Sequence, residues 1–255
     1  MSFLFAMLAA LQPAPVGDAI LHYVRSNRDG SEPEHVVQFR PTRTGIAVYK
    51  WVSKCTTAAY VTAEMDADVR QGSTYVAGKV ARDGSQAQFG TLTFDPAEPA
   101  LTVDITPPGA DRIQMRHALL GKPSIIYDFD LADLNAFLQE HRGLRHFSFL
   151  LPVVWPGEPT LFRDYGKLFA SYLRHERRGG RTVRHYLLGI DGPQPAKGNL
   201  WVDAKQGFIV EAELDLPNHE EYRDFRLKLE KVEHGGKPAW DALTASQYAG
   251  CPTGN

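Results

Sequence analysis

The stretch FIVEAELDL, Phe208–Leu216, followed after a short polar break by YRDFRLKLEKV, Tyr222–Val232, decides the fold class. In the first, Phe208, Val210, Ala212 and Leu214 alternate with Ile209, Glu211, Glu213 and Asp215. In the second, Phe225, Leu227 and Leu229 alternate with Arg226, Lys228 and Glu230. A period of two places one set on each side of a strand. Antiparallel pairing then sets acids opposite bases on a wet face and apolar residues on a core face.

The same signal extends outward in both directions. Upstream, strands are expected at Ile20–Arg25, His35–Arg40, Gly45–Val52, Ala58–Met65, Ser73–Val80, Ala87–Phe94 and Ala100–Ile105. Gly45–Val52, GIAVYKWV, is apolar on both sides and therefore belongs in the middle of a sheet. The breaks Arg82-Asp83-Gly84-Ser85 and Pro96-Ala97-Glu98-Pro99 are strong turn chemistry. Phe147–Val154 reads as a buried strand, and Asn199–Asp203 precedes Phe208–Leu216 as a hairpin. Lys167–Arg178 and Arg181–Ile190 flank Gly179-Gly180, a two-residue hairpin signal. In that register Arg178 faces Arg181 and Tyr172 faces Leu187.

One segment breaks the pattern. DLADLNAFLQEH, Asp130–His141, has Leu131, Leu134 and Leu138 at helical spacing with Phe137 beside them. Asp130 is placed to cap the N-terminus and Asp133 to complement the macrodipole. Gly143 supplies a left-handed stop. A weaker helical turn is expected within Arg112–Leu120. The resulting expectation is a mainly β fold: a curved antiparallel sheet, a half-barrel or open barrel, wrapped around one α-helix at residues 130–142. Residues 18–234 form a single domain, with a C-terminal tail at 235–255. Pro107-Pro108-Gly109 offers a division point, but one continuous sheet is the simpler arrangement.

Composition narrows the partners. The chain has 255 residues, 43% hydrophobic and 23% charged, with formal net charge −2, so it carries no basic field for nucleic acid. FLFAMLAAL, Phe3–Leu11, is too short to span a bilayer, which takes about 20 apolar residues. It suits the apolar region of a secretory signal peptide over residues 1–17, although no Lys or Arg precedes it and Gln12-Pro13-Ala14-Pro15 is no clean cleavage site. The alternative is a short buried N-terminal helix. Export makes a periplasmic or secreted location the expectation. It leaves Cys55 and Cys251 either joined in a disulfide or as two separate thiols.

From YDFDLADLNAFLQ through FSFLLPVVW and the long hairpin to GNLWVDAKQGFIVEAELDLP and FRLKLEKVE, the chain resembles a bacterial family of secreted β-proteins, the domain-of-unknown-function family 3108. Leu200-Trp201-Val202-Asp203 and Gly207-Phe208-Ile209-Val210 carry most of the likeness. The pattern is also similar to envelope proteins related to lipoprotein carriers, in which a curved sheet holds a helix or an acyl chain. The resemblance covers about the C-terminal half. It implies export and a half-barrel and supplies no catalytic residues.

The catalytic signatures GxSxG, HExxH and GxGxxG are missing, and Gly121-Lys122-Pro123-Ser124 lacks the upstream glycine of a phosphate loop. Asp128-Phe129-Asp130 and Asp66-Ala67-Asp68 read as helix-entry and strand-end chemistry. His141, His146 and His219 form no tight ligand pair. No metal and no cofactor are expected. Two surfaces remain. Phe149, Leu151, Tyr172, Tyr186, Trp201 and Phe208 line an apolar cavity in a half-barrel, or else are plain core. Arg174, Arg177, Arg178, Arg181 and Arg184 concentrate positive charge at a hairpin tip, for anionic headgroups or an acidic partner, or else form a solvated tip.

The leading expectation is a non-enzymatic envelope protein binding a lipid or another hydrophobic or anionic component, with peripheral membrane contact. The alternatives are a scaffold for a protein or polysaccharide partner and a hydrolase of unrecognised type. Oligomeric state is left open.

Overall fold

A computed structural model describes residues 16–106 and 109–252. The apolar run Phe3–Leu11 and its cleavage region at 12–15 lie outside the described residues. Fourteen strands form one antiparallel sheet in the order β8-β7-β6-β5-β4-β3-β2-β1-β14-β13-β12-β11-β10-β9. The first half comprises β1 (Ala19–Ser26), β2 (Glu34–Phe39), β3 (Gly45–Trp51), β4 (Ala59–Met65), β5 (Gly72–Val80), β6 (Gln86–Phe94), β7 (Ala100–Ile105) and β8 (Ile113–Ala118). A 3₁₀ turn (Tyr127–Phe129) and helix α1 (Ala132–Glu140) follow. The second half comprises β9 (His146–Val154), β10 (Phe162–Arg178), β11 (Arg181–Asp191), β12 (Ala196–Asp203), β13 (Ile209–Leu214) and β14 (Phe225–His234).

Each half is a meander, and β14 pairs with β1 to join them. The sheet curls around α1 without closing. At the seam, Ser124 makes a parallel bridge to Leu150 of β9. His117 of β8 also lies 3.0 Å from Asp164 and stacks on Phe162 of β10, with ring centroids 4.4 Å apart.

The concave side holds the main core. Ala132–Leu138 of α1 are all buried, so the Leu stripe marks only part of a helix enclosed on every side. The outer side carries a second cluster, with Val37, Phe39, Tyr49 and Val80 covered by Trp240. Trp240 belongs to helix α2 (Gly236–Ala245), where the sequence reading had a tail. Cys55 and Cys251 are joined in a disulfide that ties the chain beyond α2 to the loop after β3. With α1 beneath it and α2 above, β3 is buried from Gly45 to Lys50, as its two-sided apolar sequence requires.

Three local expectations are corrected. Residues 113–118 form the edge strand β8, because Ile113, Met115 and His117 alternate with more exposed neighbours. A bulge between Tyr172 and Arg174 shifts the hairpin, so Tyr172 faces Tyr186 rather than Leu187, while Arg178 still faces Arg181. α1 begins at Ala132, and Asp130 does not cap it: Asp130 and Leu131 both adopt left-handed backbone, with φ of 51° and 57°.

A candidate ligand cavity capped by buried charges

The predicted apolar residues do not together line a cavity: Phe208 borders a cleft of about 50 Å³ beside α1 and Tyr186 one of about 10 Å³. Phe149, Leu151, Tyr186 and Phe208 are buried in the core, and Phe149 packs edge-on against Phe137 of α1 at 4.9 Å. The Tyr186 hydroxyl donates to the Leu144 carbonyl at 2.7 Å. Tyr172 is half-buried, its ring meeting Tyr186 at 5.9 Å and Arg145 at 4.8 Å. Trp201 alternates with the inward Leu200 and so faces the other side of the sheet. There its indole N–H donates to Glu176 at 2.6 Å, between the Arg178 guanidinium at 3.6 Å and the stacked His185 at 4.8 Å. Helix α1 fills the space these residues were expected to line.

The basic hairpin is also largely satisfied from within. Arg178 reaches the buried Glu211 at 2.5 Å, Arg174 reaches Glu176 at 2.7 Å and Arg181 reaches Asp203 at 3.2 Å. Arg177 donates to the Gly180 carbonyl at 2.8 Å, and Arg184 to those of Gly143 and Leu144 at 2.8 and 3.0 Å. Glu211 also takes Arg226 at 2.8 Å. On this face of β13 and β14 acids lie opposite bases as expected; Glu211 is packed between its arginines, while Lys228 and Glu230 remain exposed.

The structure places a cavity elsewhere, between β4–β7 and the 3₁₀ turn, of about 350 Å³. Val61, Phe89, Leu92, Ile105, Phe129 and Val154 give it apolar walls. Its polar end is built from Arg25 of β1, Glu34 of β2, Lys50 of β3, Asp128 of the 3₁₀ turn, and His219 and Glu221 of the β13–β14 connection. Glu221 is more than half exposed and marks where this end meets solvent. A broader depression of about 670 Å³ lies over Phe169 and Leu187, where Arg28 and Asp215 already pair with each other.

Behind the polar end sits Asp130, wholly buried, 2.8 Å from Lys50 Nζ and 3.5 Å from Arg25. Asn218 donates to it at 2.8 Å. Burial opposes its charge, but Lys50 and Arg25 outweigh burial and hold the carboxyl below its usual range. Arg25 is 2% exposed; it donates to Glu34 at 2.5 Å and to the Tyr222 hydroxyl at 3.0 Å, with the Tyr222 ring centroid 4.2 Å from its guanidinium. Asp128 accepts the Val154 N–H at 2.9 Å, and burial pushes its carboxyl up to about 6. Burial, reinforced by Lys50 and Arg25, pushes the His219 imidazole well below its usual range, so it is neutral at neutral pH. His219 Nε2 and Arg25 Nε lack hydrogen-bond partners in the protein.

The sequence reading assigns Asp128-Phe129-Asp130 to helix entry and sets His219, beside Glu220 and Glu221, aside as no ligand pair. A further signal lay in Lys50, an inward-phased cation in GIAVYKWV: a charge in a two-sided apolar strand needs a buried partner. Tyr75 of β5 also lines the cavity, and its hydroxyl donates to Asp133 at 3.0 Å. The cavity therefore has apolar walls at one end and charged groups at the other. No protein-family model matches the chain, and no curated protein matches it either.

Proposed function

We propose that the chain is a non-enzymatic binding protein that holds the apolar part of a small amphiphile in the cavity between β4–β7 and the 3₁₀ turn. The observation that carries this reading is a cavity of about 350 Å³ with apolar walls and one charged end. That volume lies at the lower end of the range of about 300–1,000 Å³ usual for ligand pockets. The ligand claim thereby moves away from Phe149, Leu151, Tyr186 and Phe208, which are core, from the half-buried Tyr172 and from Trp201 on the other side of the sheet, to a different part of the concave face.

We further propose that the protein works in the cell envelope, periplasmic or secreted. The Cys55–Cys251 disulfide supports this, because such bonds persist in oxidising compartments. The apolar run Phe3–Leu11 and the resemblance to secreted half-barrel proteins point the same way. Docking of an anionic partner on the hairpin tip is less favoured, because most of its arginines already have partners.

The test is native mass spectrometry of unreduced protein purified from its own periplasm. An adduct released on denaturation is expected; Ala77 of β5 also lines the cavity, and an Ala77→Trp variant that fills it should lose the adduct while keeping its fold. An adduct-free wild type, or an adduct retained by the filled variant, sinks the cavity reading. A full-length, reduced chain found only in the cytoplasm sinks the envelope reading.

A further inference from the structure

We propose that the polar end of the bound amphiphile is a cationic amine, not a carboxylate or a phosphate. This rests on the cavity reading above and goes beyond it by fixing the headgroup. Two cations face the cavity, and both are already committed. Lys50 Nζ lies 2.8 Å from Asp130 and donates to the Asp128 carbonyl at 2.9 Å. Arg25 lies 2.5 Å from Glu34 and 3.5 Å from Asp130.

Asp130 and Glu34 together balance Arg25 and Lys50. That leaves the Asp128 carboxylate without a cation bound to it, Glu221 with only a distant contact of 3.7 Å to Arg25, and a neutral His219. An incoming anion meets no uncommitted cation and two carboxylates; an amine meets two carboxylates free to pair with it. In a partly desolvated site such like-charge and opposite-charge contacts dominate headgroup choice. The Nε2 of the neutral His219 has no partner in the protein and, with the ring proton on Nδ1, offers an acceptor for an ammonium N–H.

The experiment is isothermal titration of the unreduced full chain with decylamine, decanol and decanoate, which share one apolar chain and differ only in the head. Decylamine should bind about tenfold or more tighter than decanoate, with decanol between them. Glu221→Gln and Asp128→Asn should each reduce the preference for amine over alcohol several-fold. Retained decanol binding shows that each variant still folds and keeps its cavity. Decanoate binding as tightly as decylamine overturns the headgroup inference alone. So does an amine preference that survives both substitutions. Decylamine binding that persists in Ala77→Trp overturns it as well, since the amine would then be held outside the cavity. If none of the three binds, the cavity reading falls and the inference with it.

Discussion

Asp130 and Asp133 enter the same helix, both wholly buried, and the fold imposes opposite demands on them. Asp130 lies between Lys50 and Arg25 and stays ionised. Its left-handed backbone, and that of Leu131, is a local strain that the surrounding contacts hold in place. Asp133 has no cation. It accepts N–H groups of Ile126 and Leu134, each at 2.8 Å, and faces the Tyr75 hydroxyl at 3.0 Å. Burial nevertheless pushes its carboxyl up to about 7. Because the folded value is raised above the unfolded one, the folded state binds this proton more tightly. The resulting stability is present in full below the ordinary carboxyl range and is lost as the pH rises through about 7. Asp133→Asn, which cannot ionise, should therefore close the stability gap to wild type as the pH rises through neutrality. Urea unfolding of both proteins across that range measures it, and a gap that widens would reverse the sign of the argument.

At the scale of elements, the two helices are held by different means. α1 is enclosed by the sheet, and each of Leu134, Phe137 and Leu138 gains about 1.5–3 kcal/mol from burial. α2 lies on the outer side through fewer contacts. Trp240 stacks on Phe39 at 5.4 Å and donates its indole N–H to the Tyr60 hydroxyl at 2.9 Å. Just beyond α2, the Cys55 N–H donates to the Gln247 carbonyl at 3.0 Å, and the Gln247 side chain donates to the Ser53 and Thr56 carbonyls at 3.1 and 2.8 Å. The disulfide fastens this corner across 196 residues of chain. Replacing both cysteines by serine should cost about 2–4 kcal/mol. Hydrogen exchange should accelerate in α2 and in residues 52–57 and stay unchanged in β9–β13. Uniform acceleration would mean that the bridge supports the whole sheet rather than one corner.

At the scale of the whole molecule, the two meanders share one core. Asn135 of α1 joins them at the centre: its Nδ2 donates to the Tyr23 hydroxyl at 3.0 Å and to Gln38 at 2.7 Å, while its Oδ1 accepts the Ile209 N–H at 2.8 Å. The Tyr23 hydroxyl donates in turn to the Ile209 carbonyl at 2.8 Å, across the β1–β14 junction. With the junction and the helix shared, neither meander keeps its core without the other. Unreduced protein should unfold in a single transition in which calorimetric and van't Hoff enthalpies agree. Two resolved transitions would show that the halves are independent units.

The sequence by itself determined that the chain is a β-sheet around a helix. Alternation in Phe208–Leu216, glycines and prolines at the turns and the Leu spacing of Leu131–Leu138 are local patterns, read without knowing what lies opposite them. It also marked β3 as central, since GIAVYKWV needs cover on both faces. Only the tertiary structure decided where the cavity lies and which charges cap it. Arg25, Lys50, Asp128, Asp130 and His219 come from β1, β3, the 3₁₀ turn, the turn before α1 and the β13–β14 connection, and no spacing along the chain records their meeting. The same reason hid the fate of Trp201 and Arg178. Each looked like a surface or a lining residue from its own strand, and each was settled by a partner on another strand. Burial and charge pairing depend on distances through space, whereas periodicity depends only on distance along the chain.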